Sequence, residues 1–260
     1  MTNIEEIKEK KGFICDMDGV IYHGNLLLPG VKDFIKWLEF EKKKFLFLTN
    51  SSERTPKELQ EKLNRMGIRV EEDVFYTSAL ATAQFLSNQK LNGSAYIIGE
   101  AGLINALYNV GYSINNVDPD FVVVGESHSY SYEKITHAIN LVLKGAKLIG
   151  TNPDLTGPVE YGIVPATKAL IAPIELSTGK KAYYVGKPNP LMMHIALKKL
   201  NCHPEENIII GDRMDTDIIA GIESEIDTVL VLSGISKKET INLFSYSPKY
   251  ILEGVIDLVK

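Results

Sequence analysis

The chain has 260 residues, of which 45% are hydrophobic and 23% charged, with a formal net charge of −5; these ordinary proportions, with no repeat period or low-complexity tract, exclude fibrous and disordered classes and fit one large α/β domain or two domains. Lys and Arg are scattered, and the triplet Lys42 to Lys44 reads as a solvated helix end, so no nucleic-acid partner is expected. No run of 18 apolar residues occurs, the opening MTNIEEIKEKK is too charged for a signal peptide, and Cys15 and Cys202 make neither a disulfide framework nor a metal motif; the expectation is a cytoplasmic protein with no membrane partner.

In chain order, Phe13, Ile14 and Cys15 form the short apolar run of a buried parallel strand, and Asp16 and Asp18 stand where it ends. Residues two apart in extended chain project to one side, so both carboxylates can face one reaction centre at the carboxyl end of a strand, where open α/β sheets bind ligands. Crowded like charges raise each other's pKa unless a cation offsets them, which asks for a divalent metal, a shared proton, or both. Met17 to Leu28 reads as a loop, Val31 to Phe40 as an amphipathic helix, and Phe45 to Leu48 as a second strand ending in Thr49, Asn50 and Ser51. Thr55 with Glu58 gives a capping box, Pro56 takes the first helical position, and Gly67 can end that helix.

Further α/β units follow. Strands are expected at Val74 to Tyr76, Tyr96 to Ile98, Phe121 to Val124 and Leu148 to Gly150, alternating with helices at Ser78 to Gln89, Glu100 to Val110 and Ser131 to Lys144. Thr151 to Pro165, with three prolines and two glycines, reads as irregular, before a helix from Ala166 to Leu176 and a strand from Tyr183 to Val185. Asn189 can cap and Pro190 start the next helix. Ile208 to Ile210 is a strand ending in GDRMDTD, a short helix runs toward Gly221, Thr228 to Leu232 is a strand, and the rest mixes a helix, a short strand and a last helix.

Alternation of strand and helix predicts a parallel sheet with right-handed crossovers. Roughly 137 residues separate Asn50 from Lys187, far above one crossover, so a folded insertion is expected there. The fold class is therefore α/β: a Rossmann-like, doubly wound parallel-sheet core over 1–79 and 181–260, with a second α/β cap domain inserted over 80–180 that could close over a small substrate.

Four pieces converge in such a sheet: Asp16 with Asp18, Thr49 with Asn50, Lys187, and Asp212 with Asp215 and Asp217. Each suits phosphoryl transfer. Asp16 supplies a carboxylate nucleophile, and Asp18 an acid that protonates the leaving oxygen and then takes a proton from water. Thr49 and Asn50 offer donors to phosphate oxygens, Lys187 a point charge, and Asp212 completes a hard oxygen site for Mg²⁺. Any single aspartate at a strand end reads more simply as a helix cap; the ordered set does not. Cys15 reads as a core residue, His23 as a loop residue, and Tyr130 and Tyr132 as anchors for the start of a helix.

DMDGV at Asp16 to Val20, TNSS at Thr49 to Ser52, GKPNP at Gly186 to Pro190 and GDRMDTD at Gly211 to Asp217 resemble the four ordered motifs of the haloacid dehalogenase superfamily of phosphatases. VFYTSALATAQFL, PDFVVVGE, TNPD and YVGKPNP resemble its NagD branch of capped nucleotide and sugar-phosphate phosphatases. The resemblance implies catalytic Asp16 and Asp18; substrate-binding Thr49, Asn50 and Lys187; and Mg²⁺ held by Asp16, Asp18 through its backbone carbonyl, and Asp212. It implies Asp217, in preference to Asp215, as support for the metal's water shell, and makes Asn152 and Asp154 candidate specificity residues. It also implies a large α/β cap, with a cap-mediated homodimer as one option. The expected activity is Mg²⁺-dependent hydrolysis of small phosphorylated metabolites, nucleoside monophosphates before sugar phosphates. The rivals are a phosphotransferase or mutase using the same intermediate, and a non-catalytic phosphate-binding regulatory module. Dehalogenation is disfavoured, since it needs neither metal nor Asp18.

Overall fold

In the computed structural model, which describes residues 4–159 and 162–260, all four residues of the strand Gly12–Cys15 are buried. Successive side chains of a strand alternate between faces. Phe13 and Cys15 accordingly pack with Phe34, Ile35 and Leu38 of the helix Val31–Phe40 and with Ile208, Ile210, Val229 and Val231 of neighbouring strands.

The strand is central in a six-stranded sheet whose order is Tyr250–Leu252, Asp227–Val231, Asn207–Gly211, Gly12–Cys15, Lys44–Thr49, Phe75–Thr77. Its pairings to Lys44–Thr49 and Asn207–Gly211 are parallel, with Cys15 opposite Phe47 and Ile210. That register brings Asp16 out level with Leu48 and Gly211. Because the chain leaves the strand on one side and returns on the other, these carboxyl ends form the switch point at which open α/β sheets bind ligands.

The chain divides into two compact units, one holding residues up to Thr49, Leu59–Tyr76 and everything from Lys187, the other Asn50–Glu58 and Thr77–Gly186. The second unit thus starts and ends a few residues outside the expected 80–180 and also takes the segment after the second strand. Its own parallel sheet runs Tyr183–Tyr184, Lys147–Gly150, Phe121–Val124, Ser94–Ile98, Ser113–Ile114. Val122, Val124, Leu141, Leu148, Ile171 and Ile174 fill a core between that sheet and the helices Tyr132–Lys144 and Thr167–Thr178. Tyr130 ties those two helices together, its hydroxyl donating to Leu170 O at 2.5 Å, whereas Tyr132 is exposed and anchors nothing inside.

Four local expectations are corrected. The loop 17–28 contains a short antiparallel hairpin, Tyr22–His23 with Leu26–Leu27. The irregular stretch 151–165 contains another, Thr156–Val159 with Gly162–Pro165, whose turn lies outside the described residues. Two-residue and edge strands carry too few apolar positions to register as a period. A helix at Ile4–Glu9 was not anticipated, and the expected C-terminal helices are 3₁₀ turns at Lys238–Leu243 and Val255–Leu258. Among the described residues no helix is long and apolar enough to cross a membrane.

Candidate active site

Asp16 follows the central strand, its N–H donating to Ile210 O at 2.9 Å in continuation of the ladder. Its Oδ1 accepts from Lys187 Nζ at 2.8 Å. The same ammonium donates to Asp217 Oδ1 at 2.7 Å and to Leu48 O at 3.0 Å. Lys187 is therefore a buried cross-link between the ends of two strands and the segment after a third. Asp217 owes its place to a single π-helical turn, Met214–Ile218, which runs into the helix Ile219–Glu223. Both of its oxygens are engaged, Oδ2 accepting the Arg213 N–H at 3.1 Å. Asp215 points to solvent and forms an ion pair with Arg213 at 2.8 Å. Of the two acidic residues left open by the sequence, only Asp217 reaches Lys187.

Asp212 follows the strand Asn207–Gly211, and its Oδ2 accepts the Ile235 N–H at 2.7 Å. Two glycines close round it. A Cβ added to Gly19, which has φ +79°, would stand 2.4 Å from Asp212 Oδ2, and one at Gly234 would stand 2.0 Å away. The Asp-Gly step at Asp18 and Gly19 is thus a steric requirement of the carboxylate across from it.

Asp16, Asp212 and Asp217 each place a carboxylate oxygen within 4.8 Å of the others, and among the described residues no other three His, Cys, Asp or Glu side chains come together in this way. Three buried carboxylates face one ammonium. Burial, with Asp217 nearby, raises Asp16 to about 7 against the pull of Lys187. Burial, then Asp16 and Asp217, hold Asp212 well above the usual carboxylate range. Burial alone would lower Lys187, but the two aspartates outweigh it and keep it charged. Uncompensated like charge among hard oxygen donors fits a divalent cation such as Mg²⁺. Asp16 and Asp212 are the residues that would hold it, with Asp217 orienting Lys187 beside them. Asp18 enters the expected ligand set through its main-chain carbonyl; its carboxylate stands apart from this group.

Asp18 is raised by burial, against the opposing charges of Lys62 and His23. His23 Nδ1 lies 3.5 Å from Asp18 Oδ1, and Lys62 stacks on the Tyr22 ring at 3.5 Å. A raised carboxyl near a lysine ammonium can be retained as an acid and still be ionised readily. Sequence reading gave His23 no such place, because the hairpin that delivers it was unseen. Thr49 is buried at the last position of its strand. Cys15 is buried and its thiol is pushed up by burial, as a core residue should be.

The remaining candidates lie in the second unit. Asn50 donates from Nδ2 to Asp154 Oδ2 at 3.0 Å, and its carbonyl accepts from Ser78 Oγ at 2.5 Å and Asn152 Nδ2 at 2.7 Å. Asn152 also donates to Glu126 Oε1 at 2.6 Å. Asn152, a candidate specificity residue by resemblance, is fully buried and bonded to the Asn50 carbonyl. Glu126 was missed as a site residue, although it closes the PDFVVVGE phrase and stands straight after the strand Phe121–Val124 and Gly125.

Family models described as haloacid dehalogenase-like hydrolase and HAD-hydrolase-like match residues 13–113 and 184–258. The dihydroxyacetone phosphatase of Corynebacterium glutamicum is 44% identical over 246 residues, covering 95% of this chain and 90% of that protein. The ribonucleotide monophosphatase NagD of Escherichia coli is 41% identical over 248 residues, covering 95% and 98%. Its solved structure superposes with a TM-score of 0.89 over 95% of this chain and 98% of that one. The 4-nitrophenylphosphatase of Thermotoga maritima superposes at 0.93 with 32% identity, covering 99% and 98%.

Proposed function

Since the chain belongs to the haloacid dehalogenase-like hydrolases, as a phosphomonoester hydrolase of the NagD-like type, we propose that it works through an aspartyl phosphate on Asp16 with Mg²⁺ as its metal. The observation that carries this reading is the buried Asp16 carboxylate, 2.8 Å from Lys187 and grouped with Asp212 and Asp217. Asp16 attacks phosphorus, and the ester oxygen leaves with the proton of Asp18. The Asp18 carboxylate then takes a proton from a water that attacks phosphorus, which releases inorganic phosphate and restores both residues. Lys187 holds Asp16 in place and balances charge on the phosphoryl oxygens, and Thr49 and Asn50 donate to those oxygens. When bound, Mg²⁺ supplies further positive charge against the phosphate and Asp16.

Relatives named ribonucleotide monophosphatase, acid sugar phosphatase and dihydroxyacetone phosphatase support small soluble phosphate esters as substrates, with nucleoside monophosphates first and sugar phosphates second. The second unit serves as the cap that shapes this choice. Free Cys15 and Cys202 suit a reducing cytoplasm. A phosphotransferase or mutase would use the same Asp16 intermediate, and an added acceptor alcohol would then carry away the phosphoryl group.

The test is phosphate release from a panel of nucleoside monophosphates, sugar phosphates and p-nitrophenyl phosphate, with Mg²⁺ or with EDTA, for the parent and Asp16→Asn. Release that needs Mg²⁺ and disappears in the variant supports the reading. Multiple turnover by Asp16→Asn removes Asp16 as nucleophile.

A further inference from the structure

Resting on the phosphatase reading, we infer that Glu126 and Asn152 are positioning residues that set the main chain of the phosphate-holding loop 49–52. Every polar atom of the Asn152 side chain is engaged within the protein. Its Nδ2 donates to Asn50 O at 2.7 Å and Glu126 Oε1 at 2.6 Å, and its Oδ1 accepts the Asp154 N–H at 3.1 Å. The other Glu126 oxygen accepts both the Ser52 N–H, at 3.1 Å, and the Ser52 hydroxyl. Two side chains, far from the loop in sequence, thus grip it at residue 50 and again at residue 52.

The grip has a directional consequence. In a planar trans peptide the C=O and the following N–H point opposite ways. With the Asn50 carbonyl held by Asn152 and Ser78, the Ser51 N–H is turned to the opposite face. Asp154 holds the Asn50 side chain at 3.0 Å, so the orientation of the whole residue is set from the second unit's own residues. Glu126 accepts three hydrogen bonds, from the Ser52 N–H, the Ser52 hydroxyl and Asn152 Nδ2. Such a loop needs no reordering when phosphate arrives, which is what preorganised donors contribute. The Asn-Pro-Asp segment therefore acts by aiming the loop.

The experiment uses Glu126→Ala, Asn152→Ala and the double variant, with Ser52→Ala as a milder change that deletes only the hydroxyl arm. KM and kcat are measured on p-nitrophenyl phosphate, the inhibition constant on inorganic phosphate, and folding by circular dichroism melts. We expect KM and the phosphate inhibition constant to rise together by about 10-fold or more in each single variant, with a smaller rise in Ser52→Ala. The double variant should be no worse than the poorer single one, because both residues act through one loop. KM and inhibition constants within about twofold of the parent overturn the inference, as does a loss that tracks the melting midpoint alone. A parent that hydrolyses the ester beside unaffected variants sinks only the positioning role. A parent that neither hydrolyses any ester nor binds phosphate sinks the phosphatase reading with it.

Discussion

Lys187 Nζ and Asp217 Oδ1 lie 2.7 Å apart, and solvent reaches almost none of either side chain. The pair explains why a lysine can be buried at the end of a sheet. One ammonium bonds two carboxylates and a backbone carbonyl, so the lysine itself has no unpaired charge, while the group as a whole keeps an excess of negative charge.

Removing that ammonium leaves Asp16 and Asp217 facing each other. Lys187→Met should cost about 3–5 kcal/mol of folding stability in metal-free buffer, and added Mg²⁺ should restore part of it. Turnover should fall by about 100-fold or more. Urea unfolding with and without Mg²⁺, beside a p-nitrophenyl phosphate assay, measures both; equal stability of parent and variant would refute the argument.

Asp215 and Asp217 separate cleanly by environment. Asp215→Asn removes one exposed ion pair with Arg213, so stability should change by no more than about 0.5 kcal/mol, with turnover close to the parent. Asp217→Asn removes one of the two carboxylates that hold the Lys187 ammonium in place and should cost at least about 2 kcal/mol together with most activity. Kinetics and unfolding curves of the two variants decide it, and a reversed order would show that the wrong aspartate has been assigned.

Gly234→Ala places a methyl group 2.0 Å from Asp212 Oδ2. The carboxylate must move, at a cost of about 1–3 kcal/mol. The Mg²⁺ concentration giving half-maximal activity should rise by about 10-fold, as the displaced oxygen no longer meets the ion. Titration of activity with Mg²⁺ checks this, and an unchanged midpoint would mean that Asp212 is not a ligand.

Away from the site, Asp227 Oδ2 takes ammonium groups from Lys10 at 2.7 Å and Lys249 at 2.8 Å. Burial alone would raise this carboxyl, but the hydrogen bonds from both lysines win and lower it. A folded-state pKa below the unfolded one, near ~3.9, means that the unfolded chain binds the proton first as pH falls. The stabilisation is then complete above that pH and is lost as pH falls through the folded value. Asp227→Asn should lower stability at pH 7 by no more than about 1 kcal/mol, and the gap between parent and variant should close below about pH 4. Urea midpoints for both proteins across pH 3 to 7 provide the check; a gap that widens toward acid would reverse the sign.

Much of the architecture was legible because it rests on patterns that local chemistry imposes. An apolar run followed by Asp16 must be a buried strand with a polar end, and Pro56 with its Thr55 to Glu58 capping box must start a helix, as it does at Pro56–Arg65. The helix Ser78–Gln89, capped by the Thr77 side chain, and the helix after Asn189, whose side chain accepts the Leu191 N–H, were equally readable. So was the nearness of Asp16 and Asp212, since parallel strands expose their carboxyl ends at one edge; the strand before Lys187, Tyr183–Tyr184, pairs in the second unit's sheet, so the meeting of Lys187 with Asp16 does not follow from that rule.

Other relationships had no signature in the chain. Asp215 and Asp217 look alike in sequence, and only the turn Met214–Ile218 directs one inward and the other to solvent. The hairpin that carries His23 to Asp18 is two residues to a strand, too short to show a period. Asn50, Glu126 and Asn152 stand in three separate stretches, and nothing local to any of them announces the others. Periodicity and capping are short-range effects, so the sequence by itself determined the elements, their order and which strand ends carry reactive groups. Hydrogen bonds between distant residues depend on how those elements pack, and the tertiary structure alone decided which oxygen each donor meets.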